Sequence, residues 1–218
     1  LCRELQFVLV LLLGWLAPHS LCAQRVSIGL YDTCSIQLLR VCPLSAGYKL
    51  LLNGKFVEVE KETELNFSSR GRMLICERAG NEYEPCEHIA LVHTDPNAQF
   101  ELSLLRPQAD PRTYDGNLSL FVDFGRIMCL NLVDQEAYIA GVALAEVGAK
   151  AKPELYKAQA LLIRTYLMGN RAKHLEEGFN LCDQVHCQAY KGSASKYPYI
   201  RQATQQTAGM ELRERSAA

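Results

Sequence analysis

Two helical patterns stand back to back between Leu130 and Gly192, and a short loop after them packs two cysteines and a histidine between Cys182 and Cys187. No other stretch of the chain concentrates a carboxylate, two cations and a thiol/imidazole cluster in this way. The remaining residues are therefore read as the frame around it.

The first helix of this stretch is capped by Asp134, with Gln135 and Glu136 in its first turn. Ile139, Val142 and Ala143 follow at helical spacing, and Glu146 falls on the same stripe before a stop at Gly148. A carboxyl on an apolar stripe is desolvated, which favours its protonated form and suits a general acid near neutral pH. The other reading of Glu146 is a helix-end side chain exposed to water.

The second helix opens at Pro153, with Glu154 beside it, and ends at Gly169 and Asn170. Its inner stripe is expected to be Ala158, Leu161, Leu162 and Thr165. Lys157 and Arg164 lie two turns apart on one side, flanking Ala160 and Leu161. Such a pair can face an anionic or sugar-rich ligand, or it can snorkel to solvent.

The loop Cys182-Asp183-Gln184-Val185-His186-Cys187 has two readings. One is a disulfide between Cys182 and Cys187, which spacing alone favours because adjacent ligands are awkward. The other is a structural zinc site with His174, Cys182, His186 and Cys187 as ligands, since thiolates and imidazoles in a tetrahedron suit that metal.

The residues from Asp134 to Gly148, then KAQALLIRTY from Lys157 and CDQVHCQAYKG from Cys182, resemble the stage II sporulation protein D (SpoIID) family, which includes the amidase-enhancer proteins. YDGNLSL from Tyr114 looks like that family's lead-in strand, and Thr204, Thr207 and Gly209 look like its following helix. The resemblance spans roughly Tyr114 to Met210. It implies a lytic transglycosylase that cuts peptidoglycan glycan strands already stripped of stem peptides and leaves 1,6-anhydro ends. It also implies that Glu146 is the acid/base, although Val147 and Gly148 depart from the family's Ala-Glu-Met-Pro-like segment. Lys157 and Arg164 match the family's functional cations, and Gln188 and Tyr190 are placed near the cleft by the Cys/His loop. Some members hold zinc in that loop, and His174 stands at a matching place. The alternative function is a non-catalytic glycan-binding partner that stimulates a cell-wall amidase.

One carboxylate is enough for such chemistry. A hydrolytic glycosidase flanks the bond with two, but in an anhydro-forming cleavage the sugar's own C6 hydroxyl attacks. Asp134 and Glu136 lie two to three turns back from Glu146, so Asp183 is the second carboxylate that folding could bring close.

The apolar run from Phe7 and the small and polar residues up to Ala23 read as a secretory signal over residues 1–23, which implies export to the periplasm or cell envelope; an uncleaved anchor is the alternative. Residues 24–112 read as a β-rich accessory region, and Asn53-Gly54 as a hairpin turn. Pro96, Pro107 and Pro111 bracket an expected linker to the SpoIID-like region at 113–218. There, Leu118 to Val122 and Arg126 to Leu132 form a hairpin that feeds the first helix.

The expected fold is thus α+β: a β-rich N-terminal region, a hairpin and a two-helix catalytic core. The resemblance implies that the family's domain continues past Ala218, which makes the chain a fragment. Cys34 with Cys42 and Cys76 with Cys86 are plausible disulfides in an exported chain, and Cys129 reads as a buried small hydrophobe. The formal charge of −1 gives no case for nucleic acid.

Overall fold

Period-two alternation of apolar residues produces the strands of two packed sheets. The structure, a computed structural model, describes residues 24–213; the expected export signal over 1–23 lies outside them. In chain order, the strands of the first sheet are β1 (Arg25–Leu30), β3 (Tyr48–Leu52), β4 (Lys55–Val59), β8 (His88–Val92), β11 (Asn117–Asp123), β12 (Arg126–Asp134) and β13 (Leu181–Cys182). They lie side by side in the order β13-β1-β12-β11-β8-β3-β4. The second sheet, in the order β10-β9-β2-β5-β6-β7, is built from β2 (Leu38–Pro43), β5 (Leu65–Arg70), β6 (Met73–Arg78), β7 (Asn81–Glu82), β9 (Gln99–Arg106) and β10 (Arg112–Asp115). Leu50, Leu91, Leu118 and Leu120 of the first sheet and Leu39, Val41, Phe67 and Phe100 of the second belong to one buried cluster.

The helices are α1 (Gln135–Val147), α2 (Pro153–Asn170) and α3 (Pro198–Gln205). They pack on one another, and α1 also packs on β12 and β1. Asp134 caps α1 as expected, accepting hydrogen bonds from the backbone of Glu136 at 3.0 Å and Ala137 at 3.2 Å. Gly148 ends it with φ of 82°, a left-handed conformation that glycine adopts without strain. Gly141 lets the chain come close to α1: a Cβ there would lie 2.4 Å from the carbonyl oxygen of Gly192 and 2.7 Å from the Tyr190 ring.

Two expectations are corrected. Residues 107–111 are not a linker but the turn of a hairpin, in which β10 pairs antiparallel with β9. The expected division at 112/113 is no seam in the packing either. β1 pairs antiparallel with β12 and parallel with β13, so both regions build the first sheet. The physical reason is that β1 buries Val26, Ile28 and Leu30 only by lying between strands about a hundred residues or more away in the chain.

The expected disulfides are not formed: Cys34, Cys42, Cys76, Cys86, Cys182 and Cys187 all carry free thiols. Cys129 is buried at 1 % exposure, as expected of a small core residue. Among the described residues, no helix is long and apolar enough to cross a membrane.

Candidate functional site

Glu146 sits in the last turn of α1 and is exposed, so of its two readings the helix-end side chain in water holds and the dry setting on the apolar stripe does not. Buried Ile139, Val142 and Ala143 occupy the inner face as expected, but Glu146 lies on the outer side of the last turn, whose Leu144 and Val147 pack against the core. The carboxylate is nevertheless positioned. Gln159 Nε2, on α2, donates to Glu146 Oε2 at 2.6 Å, and the second oxygen has no protein partner among the described residues. The loop behind it is held by Tyr156 Oη, which donates to Gly148 O at 2.7 Å, and by a hydrogen bond from Tyr199 Oη to Ala149 O.

The buried face of α2 consists of Tyr156, Ala160, Ile163, Arg164 and Leu167, not the stripe expected from Ala158, Leu161, Leu162 and Thr165. Leu162 is 53 % exposed. This rotation moves both expected cations. Arg164 is 2 % exposed and grips Glu136, with Nε 3.1 Å from Oε1 and Nη2 2.7 Å from Oε2. Its Nη1 donates to Met210 O at 2.8 Å. It therefore ties α1, α2 and the segment after α3 together and has no free face for a glycan. Lys157 is half-buried and takes no part in the ion pairs of the described residues. It stands two residues from Gln159, about 200° around the helix, so it leaves α2 on the side away from Glu146's partner.

Gln188 and Tyr190 are also corrected, from cleft to core. Gln188 Oε1 accepts from Tyr138 Oη at 3.2 Å, and its Nε2 donates to Ile163 O at 3.3 Å. Tyr190 is fully buried, donates to Asn131 Oδ1 at 3.0 Å and packs against Tyr138 with ring centroids 5.0 Å apart. Burial pushes its phenol pKa well up. Asp183 does not serve as a second catalytic carboxylate. Its side chain is 1 % exposed and engages Arg112 Nη1 at 3.4 Å and Gln184 Nε2 at 2.7 Å. Burial raises its pKa despite the opposing hydrogen bonds and Arg112.

The Cys/His loop does assemble. The ligand atoms of His174, Cys182, His186 and Cys187 all lie within 4.8 Å of one another. His174 Nε2 is 3.3 Å from Cys187 Sγ, and Cys182 Sγ is 3.4 Å from His186 Nε2. Tetrahedral zinc with bonds of about 2.0–2.3 Å requires ligand–ligand edges of roughly 3.3–3.8 Å, which both contacts meet, so the donor set fits. His174 Nδ1 lies 2.6 Å from Glu177 Oε1, the carboxylate contact that orients a ligating imidazole through its other nitrogen.

The two thiols shift in opposite senses. Burial raises Cys182. Burial also opposes ionisation of Cys187, but the backbone hydrogen bond at Cys182, His174, the Cys182 thiol and Lys173 outweigh it and lower its pKa. His174 is raised: burial lowers it, but hydrogen bonds to Glu177 and Cys187 prevail.

Sequence reasoning missed Gln159, Glu177 and the Tyr166–Lys173 pair. Tyr166 Oη reaches His186 O at 3.2 Å, and Lys173 Nζ donates to Tyr166 Oη at 3.1 Å and to His186 O at 2.5 Å. Lys173's pKa is raised, first by the Tyr166 hydrogen bond. The spacing of His174 to Glu177 was the one signal available for any of these.

Compared with known families, residues 124–213 match the family model described as SpoIID, stage II sporulation protein. Over those residues, less than half of the chain, the protein is similar to SpoIID proteins. The match takes in Glu146, α1 to α3 and the whole metal-ligand cluster, and it begins at the β11–β12 turn, after the expected lead-in strand. Similarity to this family suggests a cell-wall-related role. No curated protein and no solved structure matches the chain.

Proposed function

We propose that the chain is a lytic transglycosylase that cleaves peptidoglycan glycan strands lacking stem peptides, with Glu146 as its acid/base. One observation carries this reading. Within the SpoIID-like region, Glu146 is a solvent-accessible carboxylate locked by a single 2.6 Å hydrogen bond from Gln159, with its other oxygen open. That geometry allows Glu146 to protonate the glycosidic oxygen as the bond breaks. The same carboxylate then accepts the proton of the C6 hydroxyl as that oxygen closes on C1. No water is consumed, so no second carboxylate is needed, in agreement with the burial of Asp183.

The zinc that the Cys/His cluster fits would hold the loop Cys182–Cys187 against α2. With four protein ligands the shell is closed, so its contribution is structural. His174, Cys182, His186 and Cys187 would be the ligands.

A second reading, a non-catalytic glycan-binding partner that enhances a cell-wall amidase, is favoured by the exposure of Glu146, because an exposed side chain does not shut its substrate away from water. Digestion of peptide-free glycan strands, with the products read by mass spectrometry, tests the proposal. Products with 1,6-anhydro ends are expected. Strands that are bound but never cut, together with faster amidase turnover, would replace the first reading by the second.

A further inference from the structure

The side of α2 that carries Gln159 continues to Tyr166, seven residues or about two turns further on, a disaccharide-sized interval of about 10 Å. Leu155 and Leu162, 49 % and 53 % exposed, stand along the same side. At the far end, Lys173 spends two of its three N–H donors on Tyr166 Oη and His186 O. The ammonium also lies beside the Cys187 thiol, and its side chain is exposed, 5.8 Å from the centre of the Tyr166 ring. An ammonium held by two fixed acceptors is pre-positioned, unlike an ordinary surface lysine. Its mooring to the carbonyl of His186 also ties it to the metal-ligand loop.

We propose that Lys173 recognises the lactyl carboxylate that muramic acid exposes once its stem peptide is gone, while Tyr166 and Leu162 form the apolar floor beneath the sugar ring. This rests on the glycan reading above. In an intact strand the lactyl group is a neutral amide bearing a peptide. Removal of the peptide leaves an anion on every second sugar, and a charge-assisted hydrogen bond to it distinguishes the two forms. Lys173 is thereby the specificity-determining cation of this side of α2, the role that Lys157 and Arg164 cannot fill from where they stand.

Binding at equilibrium tests this on a Glu146→Gln background, which keeps the strands intact. The probes are peptide-free glycan strands and the same strands with their lactyl carboxylates converted to methylamides. Lys173→Met should weaken binding of the first probe about tenfold and leave the second unchanged, and Lys173→Arg should restore most of the loss. Equal loss on both probes, which is the mark of a merely structural role, would overturn the proposal. So would no loss on either probe, or the same selective loss from Lys157→Met. Because the readout is binding, the result stands whether or not Glu146 cuts.

Discussion

Arg164 meets Glu136 through two parallel hydrogen bonds, Nε to Oε1 at 3.1 Å and Nη2 to Oε2 at 2.7 Å, where α1 packs on α2. A bidentate pair of this kind is a clamp between helices. Removing Arg164 takes the partner from the half-buried Glu136 carboxylate and empties a buried site between the helices. Arg164→Ala is therefore expected to lower stability by about 3–5 kcal/mol, whereas Lys157→Ala should stay within about 0.5 kcal/mol of wild type. Urea unfolding midpoints at an unchanged m-value measure both. An Arg164→Ala protein as stable as wild type but unable to bind glycan would return this residue to the cleft.

The thiol/imidazole cluster is expected to bind one zinc ion per chain. His174→Ala and Cys182→Ala should each abolish stoichiometric binding. Glu177→Ala should leave the ligands in place but weaken affinity by about 10–100-fold, because it removes the contact that orients His174. Metal analysis and chelator competition give the values. A metal-free protein with Cys182 and Cys187 joined in the mass spectrum would restore the disulfide reading.

Cys76 provides a pH test away from the site. It is 1 % exposed, and its pKa is pushed up to about 12, chiefly by burial and then by neighbouring Cys86 and Glu77. The folded state therefore holds the thiol proton more tightly than the unfolded chain does. Its contribution is fully present below the unfolded value of about 8.5 and is lost as pH rises toward 12, at no more than about 1.4 kcal/mol per pH unit. Unfolding free energies measured from pH 9 to 11 should fall less steeply for Cys76→Ala than for wild type. Parallel slopes would contradict the assignment.

Much of the fold was legible because local signals agreed with it. Asn53-Gly54 turns between β3 and β4 with φ of 47° and 77°, as that dipeptide demands. Asp134 and Gly148 bound α1 where capping chemistry places them. The face of α2 was not legible. Leu161 and Leu162 are adjacent, and only packing against α1 and α3 decides that Ala160, Ile163 and Leu167 turn inward instead. Arg164 was misplaced for the same reason, since its partner Glu136 lies 28 residues earlier. The residue types of the metal cluster were visible, but bringing His174 back to the loop takes a chain reversal through Gly178, with φ of 90°, which spacing does not reveal.

The account depends most on Glu146. Glu146→Gln removes the titrating group, keeps the shape, and leaves the buried contacts of α1 untouched. Mass spectrometry of peptide-free glycan strands after incubation with folded wild type and variant is the direct measurement. The account predicts 1,6-anhydro-ended fragments from wild type and a loss of at least about a hundredfold in their rate of formation from the variant, with strand binding retained. Equal rates of cleavage by both proteins would contradict it.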